Sequence, residues 1–365
     1  KYALLEDGTF TNTASANVTV LGQKLWKTMP ASYPAADLPE VTFTLQQTLG
    51  TEPKDIATLT IRNWNLPVED GAYHFGFAYT GENVVSMNDD RTLSIEPAPG
   101  NENAQPLPKY DENGQRYTYT LKETAITLKN GTVTMSTPVK DATAIWLNGT
   151  AQLTVEDDVT IAVSKDTNDN SFGIGLWSDC TAAALTMKGT ITGGSGITSN
   201  GSIAADAKNT IILDGAAIDA VDYGLYLAGM ASTTVTNSTI SGCTAIEIRA
   251  GELEVNGGTY TATATEFSCD PNGGGTTTVG AALAIAQHVT KIDIAVKING
   301  GTFAGIKAIN ESNPQENDPA PQVALKVSDG AFTGDGSITN DAGTEITGGT
   351  FSSDVADLVS GGSTA

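Results

Sequence analysis

Downstream of residue 124 the chain offers few groups able to transform a substrate. It holds one arginine, Arg249, one histidine, His288, and one adjacent pair of aspartates, Asp157-Asp158. Elimination on a uronate polymer needs an Arg or Lys base beside a cation cluster. Glycoside hydrolysis needs two carboxyl groups at a set separation, with a basic group to seat the substrate. Single residues this scattered supply neither set, so no substrate enzyme is expected. Arg249 and His288 are expected at the surface, and Asp157-Asp158 in a solvated turn. Cys180, Cys243 and Cys269 contain no C-x-x-C pair. So sparse and odd a count makes neither a disulfide framework nor a zinc site, and at least two are expected as small buried side chains.

The elements that would position any site are strands. Runs rich in Thr, Val and Ile, punctuated by Gly, Asn and Asp, are the composition of an all-β protein, and 365 residues suffice for two or three domains. The formal charge of −23 gives no basic patch for nucleic acid or an anionic membrane, and neither partner is expected. No EF-hand or glycine-aspartate nonapeptide is present, so Ca²⁺ is not predicted. No apolar run reaches the ~18 residues of a membrane span. A boundary falls near residue 124. Before it, strands such as "VTFTLQQ", "IATLTIRNW" and "AYHFGFAYT" recur at the spacing of a β-sandwich. After it a repeat takes over. One unit reads apolar, two residues often polar or Gly, then Gly, Thr or Ala, then apolar, as in Leu128-Lys129-Asn130-Gly131-Thr132-Val133, Val255-Asn256-Gly257-Gly258-Thr259-Tyr260 and Ile298-Asn299-Gly300-Gly301-Thr302-Phe303. Weaker copies begin near Val155, Met187, Ile212 and Val235. The second unit reads small-apolar-x-apolar, as in Gly224-Leu225-Tyr226-Leu227 and Ala245-Ile246-Glu247-Ile248.

Two short strands per repeat, at an irregular period of roughly 19 to 32 residues, form a solenoid signal. Residues 124–365 look like a right-handed parallel β-helix of the pectate-lyase-like type with about nine coils. Residues 265–280 and 310–322 are expected as loops bulging from it. The Asn-Thr-Asp, Gly-His-Gly and Arg-Ile-Lys triplets associated with pectin hydrolases do not occur.

Residues 18–123 resemble the Cna B-type domain, the Ig-like sandwich of Gram-positive adhesin and pilin stalks. "QKLW" on the first strand, "VTFTLQQ", and "LPKYDENGQRYTYTLKE" near the end carry the likeness. The resemblance implies an isopeptide bond, formed without a cofactor. Lys24 would supply the amine and Glu123 would shuttle protons, with an Asn on the closing strand as acceptor. Lysine held among apolar side chains favours its neutral, nucleophilic form. That closing strand is missing after Glu123. The matching sequence, "GTFTNT" with Asn12, lies before the domain, within residues 1–17. By resemblance the first and last strands run parallel, which needs a crossover of about a dozen residues, and the four-residue linker 14–17 is too short for it.

Two readings follow for residues 1–13. They are the tail of a preceding domain in a tandem stalk, or a donor strand for the open edge of a second copy. Head-to-tail donation does not close and would build a fibre. The expectation is an extracellular, bacterial cell-surface structural subunit whose partners are other copies of itself. The alternative is an adhesin whose β-helix binds host glycans or matrix, with Trp146, Trp177 and Tyr226 pointing outward as a stacking strip.

Overall fold

The computed structural model describes residues 17–26, 34–135, 141–166, 169–271, 277–335, 337–339 and 344–359, and the backbone of 2–4 and 10–12. These residues are almost entirely β, with two short 3-10 turns and no α-helix among them. The chain divides into two compact units, 1–127 and 128–365.

In the first unit, β1 (Tyr2–Leu4) and β2 (Phe10–Asn12) pair antiparallel with each other, Asn12 opposite Tyr2. β3 (Val20–Lys24) heads a three-stranded sheet in the order β3-β7-β6, with β6 at Val68–Glu69 and β7 at Ala72–Phe77. The facing sheet contains β4 (Glu40–Leu49), β5 (Glu52–Ile61), β8 (Gly81–Met87), β9 (Leu93–Pro97) and β10 (Thr118–Leu128). β10 and β5 flank β4 antiparallel, and β5 pairs in parallel with β8. Alternation decides the faces. Val41, Phe43 and Leu45 on β4 turn inward with Leu59, Ile61, Phe75 and Phe77, and the Phe43 and Phe75 rings stack at 4.2 Å. β10 runs unbroken through Thr124 to Leu128, later than the boundary read from sequence, with a register shift between Glu123 and Ala125.

The second unit is a stack of coils joined by three parallel ladders. The first ladder runs from Thr143–Leu147 through Phe172–Leu176, Ser195–Ser199, Tyr223–Leu227, Thr244–Ile248 and Ala281–Ala286 to Lys307–Ser312 and Ile338–Thr339. The second ladder stacks Val155, Met187, Leu213, Val235, Val255, Ile298, Val327 and Ile346 in one buried column. The third stacks Ile161, Ile191, Ile218 and Ile240, then changes to Tyr260, Phe303, Phe332 and Phe351. Successive ring centroids there lie 4.7, 5.1 and 5.0 Å apart, the spacing of hydrogen-bonded strands.

Three strands per coil replace the expected two. The Gly-Gly pair read as part of one strand unit is a corner joining the second ladder to the third. At Gly258 φ is +101° and a Cβ would stand 2.3 Å from the Ser238 carbonyl oxygen, so only glycine fits the corner. The copy placed at Ile212 shifts by one. Leu213 pairs with Met187 and Val235, and Ile212 faces solvent, because a one-residue slip turns every side chain to the other face. Within 265–280, Ser268–Cys269 and Thr278–Val279 form an antiparallel pair that lies against the coil rather than bulging from it, with Thr278 fully buried. Of 310–322, the first three residues complete the strand Lys307–Ser312.

Candidate functional site

Two places gather chemically capable side chains. The first lies in the sandwich. β3 turns Val20, Gly22 and Lys24 to one face, and β10 turns Tyr119, Leu121 and Glu123 toward it. The columns are close: a Cβ on Gly22 would meet the Phe75 ring at 2.7 Å and Leu121 Cδ1 at 3.3 Å. One step along, Lys24 Nζ donates to Glu123 Oε2 at 2.6 Å and sits 4.5 Å from the centre of the Trp26 ring. Trp26 stands edge-on to Trp64 at 5.4 Å, and Trp64 to Tyr73 at 5.2 Å, giving the pair an aromatic wall. The structure thus joins two of the three residues singled out for amide formation.

The side chains are half-covered rather than dry, 19 % exposed for Lys24 and 32 % for Glu123. The reason is the sheet edge. Among the described residues β3 pairs with β7 on one side, and no strand lies along its other side. Asn12 stands on β2, whose described partner is β1, and its side chain lies outside the described residues. Beside the N-terminal end of β3 a groove of about 570 Å³ is lined by Val18, Thr19, Lys109, Arg116 and Tyr117.

The second place lies on the outer face of the first ladder. Trp146, Gly175, Thr198, Tyr226, Glu247, Ala284 and Asn310 follow one another in register. Trp146 is 38 % exposed, and its ring lies across the next rung, where a Cβ on Gly175 would stand 2.2 Å from Trp146 Cζ3. Trp177, 44 % exposed, packs edge-on to Trp146 at 4.8 Å. Tyr226 departs from the expected strip. It points away from the coil interior but is only 8 % exposed, because neighbouring segments cover it. Its ring packs against Tyr223 at 5.0 Å, and Arg249 Nη1 donates to its hydroxyl at 2.7 Å.

Arg249 and His288 are likewise buried, correcting the surface placement read from sequence. Arg249 lies 3.9 Å from Glu247, whose carboxylate also accepts from the backbone N–H groups of Thr277 and Thr278 and from the Thr277 hydroxyl. The loop carrying Thr277 folds over this charge, so burial holds the Glu247 carboxyl above the usual range against those bonds and Arg249. His288 Nδ1 pairs with the Thr290 hydroxyl at 3.0 Å. One signal could have found this network. Tyr226 and Glu247 occupy the same slot of consecutive small-apolar-x-apolar units, so the register sets a phenol beside a carboxyl on adjacent rungs.

Asp157 and Asp158 are exposed in a turn. Cys180 is buried, Cys243 and Cys269 partly so, and burial pushes the Cys243 thiol up to about 11, leaving it protonated and inert. Among the described residues no group of three or more His, Cys, Asp or Glu could hold a metal ion. No helix of the described chain is long and apolar enough to cross a membrane. The chain matches no protein-family model, no curated protein and no solved structure.

Proposed function

We propose that the chain is an extracellular structural subunit of a bacterial cell-surface fibre. A Cna B-type sandwich precedes a right-handed parallel β-helix, and a strand from a second copy completes the sandwich. The observation that carries this reading is the half-covered Lys24–Glu123 pair beside the edge of β3 that has no partner strand among the described residues. An exposed edge of this kind is a template for another strand.

Sequence spacing supports residues 6–12 of a neighbouring copy as that strand. Laid parallel to β3 with Asn12 level with Lys24, it brings Phe10 level with Gly22, where β3 has no side chain. Glu6 and Asp7 then fall level with Val18 and Thr19, beside the Lys109 and Arg116 that line the groove. Insertion would exclude water from the amine. The neutral Lys24 Nζ attacks the Asn12 side-chain carbonyl carbon, the bond to the amide nitrogen breaks, and one ammonia departs. Glu123 passes a proton to the leaving nitrogen and receives the one shed by Nζ. Proximity in a dry site supplies the rate.

The test is a denaturing, reducing gel of boiled assembled material with intact mass on each band. A ladder losing one ammonia per junction, abolished by Lys24→Ala and by Asn12→Ala, is expected. A single monomer band of unchanged mass refutes the covalent link. Ammonia loss confined to a monomer band refutes assembly through it.

A further inference from the structure

The outer column of the first ladder carries a cleft that strand donation leaves unused. It measures about 730 Å³, within the range of sites that enclose a small ligand. Thr198 and Tyr226 form its floor on successive rungs. Trp146 stands at one end, three rungs from Tyr226, about 14 Å at the usual strand spacing. Phe172 and Tyr223, with rings 6.2 Å apart, Asp222 and His288 complete the walls.

The lining narrows the class of ligand. Backbone groups along the floor are spent on parallel pairing to the rungs on either side, so an added peptide strand finds no template there. A purely apolar ligand would strip water from Thr198, Asn200 and Asp222 without replacing its hydrogen bonds. An anionic ligand would meet the Asp222 carboxylate with no Lys or Arg among the described lining residues; Arg249 is fully buried and committed to Tyr226 and Glu247. What remains is a ligand with flat apolar faces and many hydroxyl groups.

We infer that this cleft binds a neutral oligosaccharide, with the Trp146 face as its stacking platform and Thr198 and Asp222 as hydrogen-bonding partners. Trp177 acts as a positioning residue, since its ring packs edge-on against Trp146 and fixes the plane that Trp146 presents. The Arg249–Tyr226 bond serves the same end for the floor, holding the Tyr226 ring down so that the cleft stays open. This site does not depend on strand donation and stands if that reading fails.

The experiment uses the full chain on an array of neutral and N-acetylated oligosaccharides printed beside oligogalacturonates and sulfated glycans. Binding of neutral glycans is expected, and hits are followed by calorimetry on variants. Trp146→Ala should weaken binding at least tenfold, Thr198→Val about fivefold and Trp177→Ala less than Trp146→Ala. Trp146 is partly exposed, so its loss should leave the melting temperature nearly unchanged. Three results would each overturn the inference: no neutral glycan bound, uronates preferred, or affinity indifferent to both Trp146→Ala and Thr198→Val in variants that melt like the parent.

Discussion

Replacing Arg249 with methionine is the most informative single change in the second unit. Arg249 and Glu247 are fully buried, so removing the guanidinium leaves a carboxylate without its opposite charge. Deleting one partner of a buried pair costs about 3–5 kcal/mol. The separation of 3.9 Å and the bonds from Thr277 and Thr278 place this case at the lower end, about 3 kcal/mol with the carboxyl ionised. The lost bond to the Tyr226 hydroxyl adds about 1 kcal/mol at any pH. Burial raises the Glu247 carboxyl in the folded protein, so its favourable contribution is full below the ordinary carboxylate range and fades as pH rises through the folded value. Without Arg249 that folded value rises further, and protonation relieves about 1.4 kcal/mol per pH unit below it. The gap between variant and parent should therefore narrow as pH falls from 8 to 5, from at most about 4 kcal/mol with the carboxyl ionised toward about 1 kcal/mol once it is protonated in both proteins. Asp222, also raised by burial, is common to both proteins and cancels from the difference. For a unit of this size the full gap corresponds to about 8–16 °C in melting temperature. Circular-dichroism melts of the full chain across this pH range measure it, and adding Glu247→Gln should remove the pH dependence. A gap that stays constant with pH, or a variant more stable than the parent, refutes the reasoning.

Phe332→Ala should cost about 3–5 kcal/mol, read as a lower denaturation midpoint, because the ring is buried between Phe303 and Phe351. Gly258→Ala should cost about 2 kcal/mol or more in the same assay, since the corner requires positive φ and the Ser238 carbonyl leaves no room for a methyl. Glu123→Gln should leave the melt of the first unit within about 1 kcal/mol, as expected for a half-exposed ion pair, while abolishing ammonia loss in intact-mass spectra.

The two kinds of sequence signal differed in reach. The all-β class and the stacked repeats were legible because each coil repeats an apolar residue at the same offset, and stacked coils must bury it. The strand count per coil was not, since the Gly-Gly corner carries no charge or proline to mark where one strand stops. Lys24 and Glu123 lie 99 positions apart, and only the resemblance of their local motifs linked them before the ion pair was seen. Arg249 and His288 failed for a physical reason. An isolated charge in a sequence reads as solvated unless its cover is known, and the cover over Glu247 comes from a loop some 30 positions downstream. Trp146 was legible as outward because it alternates with Ile145 and Leu147, whereas Tyr226 obeys the same alternation and is buried by its neighbours.

The change from isoleucine to aromatic rings along the third ladder bears on how the molecule frays. Each coil touches only its neighbours, so opening proceeds coil by coil from wherever the stack is weakest. Rings in face-to-face registry add a coupling between coils that branched aliphatics lack. Amide protons on the rungs from Tyr260 to Phe351 should therefore exchange in concert, and those between Ile161 and Ile240 more nearly one coil at a time, making a single solenoid behave as a stiff segment joined to a graded one.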